Sequence, residues 1–204
     1  KSLLTALLAS AYARRGHRTL VVDGAQNQGN QHILFGVRPT HSLESLVRGE
    51  TTPAQLVMPL ADGLDLIPAD SGAETLYGLT SIDRARLHQR VTGLFSDYDA
   101  VFIDGGPGLD SVVRAAGIQA SRLVVLTAPE PAALSDAYAL LKIIHLQVPS
   151  LPSDVMVNRA MADDEGQAVF ARLQLAARRF LRRELGYLGA VLEDDALRAR
   201  IEAE

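Results

Sequence analysis

Short apolar strands that alternate with amphipathic helical stretches predict an α/β fold in three layers, a mostly parallel sheet with helices on both faces. Two of those strands end on a carboxylate, Asp23 and Asp104, at the strand ends where open α/β sheets gather ligands. The 204 residues are 48% hydrophobic and 22% charged, the balance of a chain that buries one core. Residues 1–204 are therefore expected to form a single domain.

The elements follow in order. Leu3, Leu4, Leu7, Leu8 and Ala11 recur at helical spacing, and Gly16 supplies a C-terminal stop. Thr19-Leu20-Val21-Val22 reads as a buried strand that ends at Asp23. Thr52-Pro53 opens a short helix, Leu64-Asp65-Leu66-Ile67 is a strand stopped by Pro68, and Ser81 to Phe95 is a helix. Tyr98 to Asp104 and Leu123 to Thr127 are strands, each followed after a loop by a helix, about 111–119 and 133–145. Val155-Met156-Val157-Asn158 is a further strand, Gln167 to Glu184 a long helix, Tyr187 to Val191 a last strand and Asp194 to Ile201 a last helix. No repeat, linker or low-complexity run interrupts the pattern.

Composition excludes several classes of function. Without cysteine there is neither a disulfide framework nor a thiolate metal site, and the five histidines show no ligand spacing. A formal net charge of −4 argues against broad nucleic-acid binding, which needs a positive field to collect phosphates. No apolar run approaches the roughly 20 residues that span a bilayer, and nothing has the order of a signal peptide. The expected location is the cytoplasm.

Lys1-Ser2 has the form of the end of a P-loop, in which backbone N–H groups wrap phosphates, the lysine neutralises them and the hydroxyl holds Mg²⁺ at a helix N-terminus. Alone the pair is an ordinary surface dipeptide; an apolar helix followed by a strand that ends in aspartate gives it the setting a P-loop requires. Tyr98-Asp99-Ala100-Val101-Phe102-Ile103-Asp104 is a Walker B pattern, with Asp104 placed to orient Mg²⁺ or its water. Gly105-Gly106-Pro107-Gly108 would form a loop able to sense a γ-phosphate. Each strand-end aspartate alone is as consistent with a simple turn.

The segment Thr127-Ala128-Pro129-Glu130-Pro131-Ala132-Ala133-Leu134-Ser135-Asp136-Ala137-Tyr138-Ala139-Leu140-Leu141-Lys142 resembles the FlhG/FleN family, the flagellar members of the MinD/ParA group of P-loop ATPases. Val21-Val22-Asp23 with Asn30 and Leu34-Phe35-Gly36, Val157-Asn158-Arg159, the helix around Ala176 to Leu181, and Leu185-Gly186-Tyr187-Leu188-Gly189 extend the resemblance over nearly the whole chain. It implies a P-loop NTPase sheet and an ATP-dependent homodimer, with ATP and Mg²⁺ held between two subunits. By matching positions, Lys1 and Ser2 end the P-loop, Ser2 and Asp104 hold Mg²⁺, Asp23 and Asp104 serve the metal and the attacking water, and Asn158 with Arg159 lies near adenine. The long helix and the segment around Asp136 would face partners: an SRP-type GTPase, switch-complex proteins or a transcription activator. Membrane contact, peripheral at the inner face of the plasma membrane, would run through an amphipathic C-terminal helix that this sequence lacks. The run Arg178, Arg179, Arg182 and Arg183 reads as a solvated helix face.

Three departures bear on activity. The family carries a second aspartate where this chain has Ala25, which has no group to position water, so hydrolysis is an open question; Gln26, Asn27 and Gln28 are polar substitutes. Leu192 stands where the family has proline. The chain also begins at the helix, without the glycine-rich loop and central strand that precede it in the family, which predicts a sequence continuing upstream and two strands lacking a neighbour. Three readings follow: a switch that regulates flagellar number, placement or biosynthesis; a hydrolysis-deficient scaffold; or an accessory protein of another polar machine, such as cellulose synthesis or partition.

Overall fold

The computed structural model describes residues 1–24, 29–41, 43–69, 80–105 and 120–194. They gather into two compact units, Lys1–Ile118 and Gln119–Glu204, each built on its own sheet. The expected helix at 111–119 and the one from Asp194 to Ile201 lie, but for Asp194, outside the described residues.

The first unit runs α1 (Ser2–Ala13), β1 (Thr19–Asp23), α2 (Gln31–Leu34), α3 (Leu43–Val47), α4 (Pro53–Leu56), β2 (Met58–Ala61), β3 (Leu64–Ile67), α5 (Ser81–Thr92), a 3₁₀ turn (Phe95–Asp97) and β4 (Ala100–Asp104). Its sheet has the order β2-β3-β1-β4. β1 pairs parallel with β3 and β4, and β2 pairs antiparallel with β3. Every residue of β1 is buried, because alternate side chains of a strand point to opposite faces and both faces are covered. Val21 packs with Ala9 of α1, Leu64, Leu66 and Phe102. Leu20 and Val22 pack on the other face with Ile67, Val91 of α5, Phe95 and Ile103. This central strand is the rigid support of the residues at its C-terminal end.

Two boundaries of this unit differ from the sequence reading, and α2, α3 and β2 are elements it did not expect. α5 stops at Thr92 and not at Phe95, because Gly93 follows and a short 3₁₀ turn intervenes. β4 starts at Ala100 and not at Tyr98: the Tyr98 hydroxyl donates to Asp65 at 2.8 Å, and Asp99 exchanges bonds with the Arg18 backbone before the ladder begins. β2 was not expected, since Pro59 interrupts its pattern. It is tolerated because β2 is the edge strand, joined to β3 through Asp62-Gly63 with Gly63 at φ +72°.

The second unit runs β5 (Leu123–Thr127), α6 (Pro131–Gln147), β6 (Ser153–Ala160), α7 (Asp163–Ala176), a π-helical turn (Ala177–Leu181) and β7 (Gly186–Leu192). The three strands are parallel in the order β5-β6-β7. Val125, Val155, Val157 and Ala160 form its core with Ala137 and Leu141 of α6 and Val169 and Leu173 of α7. Asp163, Asp164 and Glu165 occupy the first turn of α7, where negative charge complements the helix dipole. At Gly186 a Cβ would stand 1.9 Å from Asp154 Oδ1, so a larger residue there requires the Asp154 carboxylate to move. Among the described residues β4 pairs only with β1 and β5 only with β6, and no helix is long and apolar enough to cross a membrane.

The long helix expected to reach Glu184 ends at Leu181, where Arg182 turns left-handed at φ 55°. Gln174, buried, causes the stop. Its Nε2 donates to Glu184 Oε2 at 2.7 Å and its Oε1 accepts from the Leu185 N–H at 2.9 Å, folding the chain back. The four arginines consequently do not share one solvated face: Arg178 pairs with Glu184, Arg182 forms the turn and Arg183 donates to the Leu151 carbonyl at 2.8 Å.

Gln174→Leu should therefore leave the Leu185 N–H without a partner and cost about 1–3 kcal/mol, read as a lower urea midpoint. Arg178→Ala, which removes an exposed ion pair, should leave that midpoint nearly where it was; equal losses in the two variants would contradict the assignment.

Candidate functional site

β1 and β4 run parallel in register, so that Asp23 stands beside Asp104 at the C-terminal edge of the sheet. Paired strands lie about 4.8 Å apart, and the two residues are only 2% and 3% exposed. Neighbouring buried carboxylates are costly unless donors or a cation offset them. Close backbone approach sets the arrangement. The Gly24 N–H donates to the Asp104 carbonyl at 2.9 Å, and a Cβ on Gly24 would lie 2.7 Å from that same oxygen. At Gly29 a Cβ would stand 2.4 Å from the Ala69 Cβ and 3.0 Å from Asp23 Oδ2, so the returning chain passes over Asp23 only because no side chain intervenes.

Gln31, the first residue of α2 and fully buried, connects these groups. Its backbone N–H donates to Asp23 Oδ2 at 3.0 Å, and its Nε2 donates to Asp104 Oδ2 at 2.9 Å and to the Ser2 carbonyl at 3.0 Å. One residue thus joins both carboxylates to the first turn of α1, where Lys1 is the N-cap and no acidic residue is present. Such a turn offers unpaired N–H groups and a positive dipole end to an anion. Gln31 Oε1 is buried without a partner among the described residues, a deficit of about 1–3 kcal/mol for a polar group left dry. The sequence reading does not single out Gln31; its only signal is its place eight residues after Asp23.

The donor set fits one kind of metal. Among the described residues no three His, Cys, Asp or Glu side chains cluster, so an all-protein cage is not formed there. Two carboxylates joined through Gln31 to the Ser2 backbone suit Mg²⁺, which takes one or two protein oxygens and fills its shell with water and phosphate. Among the described residues the buried Gln31 Oε1 next to this pair has no partner, which leaves an acceptor for a polar ligand. Gly105 follows Asp104 half-buried; Gly106 and Pro107, like Ala25, Gln26, Asn27 and Gln28, lie outside the described residues.

The remaining expected residues belong to the second unit. Asn158 and Arg159 sit near the C-terminal end of β6, at an irregularity in its pairing with β7. Arg159 is left-handed at φ 60°, a conformation that side chains adopt only where their surroundings impose it. Its guanidinium reaches Glu193 at 3.0 Å and Glu130 at 3.5 Å, tying the end of β6 to residues that follow β7 and β5. Asp136 is exposed on α6, and Leu192 is the last residue of β7. The structure therefore brings Lys1, Ser2, Asp23 and Asp104 together around Gln31, and separately places Asn158 and Arg159 with Glu130 and Glu193.

Comparison with known proteins identifies the family and the fold. Residues 1–155 match the AAA domain family. The chain is 26% identical over 204 residues to the antiactivator FleN of Pseudomonas aeruginosa, covering 100% of this chain and 73% of that protein. It is 29% identical over 199 residues to the flagellum site-determining protein YlxH of Helicobacter pylori, covering 97% and 67%. The septum site-determining protein MinD of Pyrococcus horikoshii, solved with Mg-ADP, shares the fold at a TM-score of 0.74 and 19% identity over 97% of this chain and 78% of its own. The chain belongs to the AAA domain family, as a P-loop ATPase of the MinD/ParA type similar to the flagellar FleN and FlhG proteins.

Proposed function

We propose that the chain is the nucleotide-binding body of an ATP-dependent dimerisation switch that acts on flagellar number, placement or biosynthesis. The observation that carries this reading is the buried pair Asp23 and Asp104, tied through Gln31 to the first turn of α1. Lys1 and the N–H groups of that turn hold the phosphates. Ser2 and Asp104 hold Mg²⁺, which when bound offsets the charge on the phosphate oxygens. Asp23 accepts a hydrogen bond from the attacking water, Gly105-Gly106-Pro107 senses the γ-phosphate, and Asn158 with Arg159 borders the base. The names of FleN and YlxH support a flagellar role, and the Mg-ADP complex of a protein with this fold supports the cofactor pair.

A switch of this kind works in the cytoplasm or at the inner face of the membrane as a homodimer, with a flagellar protein partner docking around Asp136. Nucleotide drives it only if ATP binds the closed dimer more tightly than the open form; moving a 1:99 equilibrium to 99:1 takes about 10⁴-fold, or about 5.5 kcal/mol. A second reading, a scaffold that binds ATP without splitting it, is favoured by Ala25, whose methyl group cannot orient a water.

In the intact protein, ATP should produce a dimer by light scattering where ADP leaves a monomer; the same state with both nucleotides would remove the switch. Asp104→Asn should weaken Mg-ATP binding at least tenfold, about 1.4 kcal/mol, in a fluorescent-nucleotide titration, and unchanged affinity would show that Asp104 does not serve the metal. Phosphate release decides between the two readings. Turnover that appears only in Ala25→Asp identifies the locked scaffold, whereas turnover by the unaltered protein gives the water another acceptor.

A further inference from the structure

We infer that Gln31 is a positioning residue that sets how tightly this site takes a hydrated divalent cation; the inference rests on the metal–nucleotide reading above and assigns a residue to it. The orientation of the amide is dictated by its neighbours. Asp104 Oδ2 and the Ser2 carbonyl only accept hydrogen bonds, so the NH₂ group must face them, at 2.9 and 3.0 Å. A flipped amide would set three acceptor oxygens against one another. Oε1 is thereby turned away from both, buried and without a partner among the described residues.

Two roles follow from one side chain. The Nε2 donates to the carboxylate oxygen of Asp104 and holds that carboxylate toward the first turn of α1 before any cation arrives. The Oε1 is an acceptor in need of a donor beside two carboxylates, and the water shell of a divalent cation consists of strong donors. No cation shell is completed by Gln31 directly; it acts on the ion through Asp104 and through that shell. The backbone bond from Gln31 to Asp23 Oδ2 keeps the residue in place whatever its side chain, which makes side-chain replacement informative.

The test uses Mn²⁺ as the probe, its binding to the ATP complex of the intact protein read by electron paramagnetic resonance, together with thermal midpoints with and without metal. Gln31→Leu removes donor and acceptor, and should weaken Mn²⁺ at least tenfold while ATP binding in EDTA changes less than threefold. Gln31→Glu keeps acceptors but sets a third carboxylate against Asp104 and Ser2. It should bind Mn²⁺ at least as tightly as the unaltered protein, with a midpoint lowered without metal and raised more steeply by it. A role confined to packing would move both variants the same way. Equal Mn²⁺ affinity in all three proteins, or equal loss in both variants, overturns the inference; if Gln31→Leu does not fold, a Gln31→Glu midpoint no more metal-dependent than that of the unaltered protein does so. Failure of the unaltered protein to bind Mn²⁺ with ATP would overturn the underlying metal–nucleotide reading as well.

Discussion

The register that sets Asp23 opposite Asp104 is the constraint on which the rest of the site depends. Two carboxylates on adjacent strands, both almost wholly buried, form an arrangement that folding alone disfavours. Their neighbours are consistent with that strain. Gly24 and Gly29 are small where a Cβ would strike the Asp104 carbonyl or the Asp23 carboxylate. Gln31 uses a backbone and a side-chain donor on the pair, and the helix that starts beside it carries no acid in its first turn. The region is organised to concentrate negative charge next to a helix N-terminus that attracts more of it, a combination that a cation with phosphate resolves.

Precision at that edge comes from the strand behind it. β1 is buried along its whole length because α1 covers one face and α5 with the following turn covers the other. Close packing leaves its side chains little room to shift, so the carboxylate at its end inherits the position of the core. In the second unit the corresponding device is a bulge: the left-handed Arg159 redirects the end of β6, and Glu130 and Glu193 hold its guanidinium.

The parts legible in the sequence were those with a local cause. β1, β3 and β5 are apolar runs, β1 closed by Asp23 and β3 set between Gly63 and Pro68, and their ends fell where the pattern placed them. α1 ends near Gly16, which has φ +87°. Elements whose boundaries depend on distant partners were misread: α7 stops because Gln174 clasps Glu184 and Leu185, and β2 exists because β3 offers it an edge despite Pro59. Within the site, Asp23 and Asp104 were visible because strand-end carboxylates have a pattern. Gln31 was not, because an amide becomes informative only when its three acceptors, separated by 8, 29 and 73 residues, are brought together by the fold.

That non-local character has a thermodynamic consequence. A ligand that binds only the folded state stabilises it by RT ln(1 + [L]/Kd), about 2.7 kcal/mol at a hundredfold excess over Kd. Here the stabilisation would be delivered where α1, β1, α2 and β4 meet through one buried amide. Binding would therefore tighten four segments far apart in sequence at once, and loss of the γ-phosphate would loosen the same four together. A site assembled from local residues would lack this reach, because its occupancy would order only its own loop. On the proposed switch reading, the bridging amide would give nucleotide occupancy a route from the phosphates into the first unit's sheet, the step a switch needs before any partner can read its state.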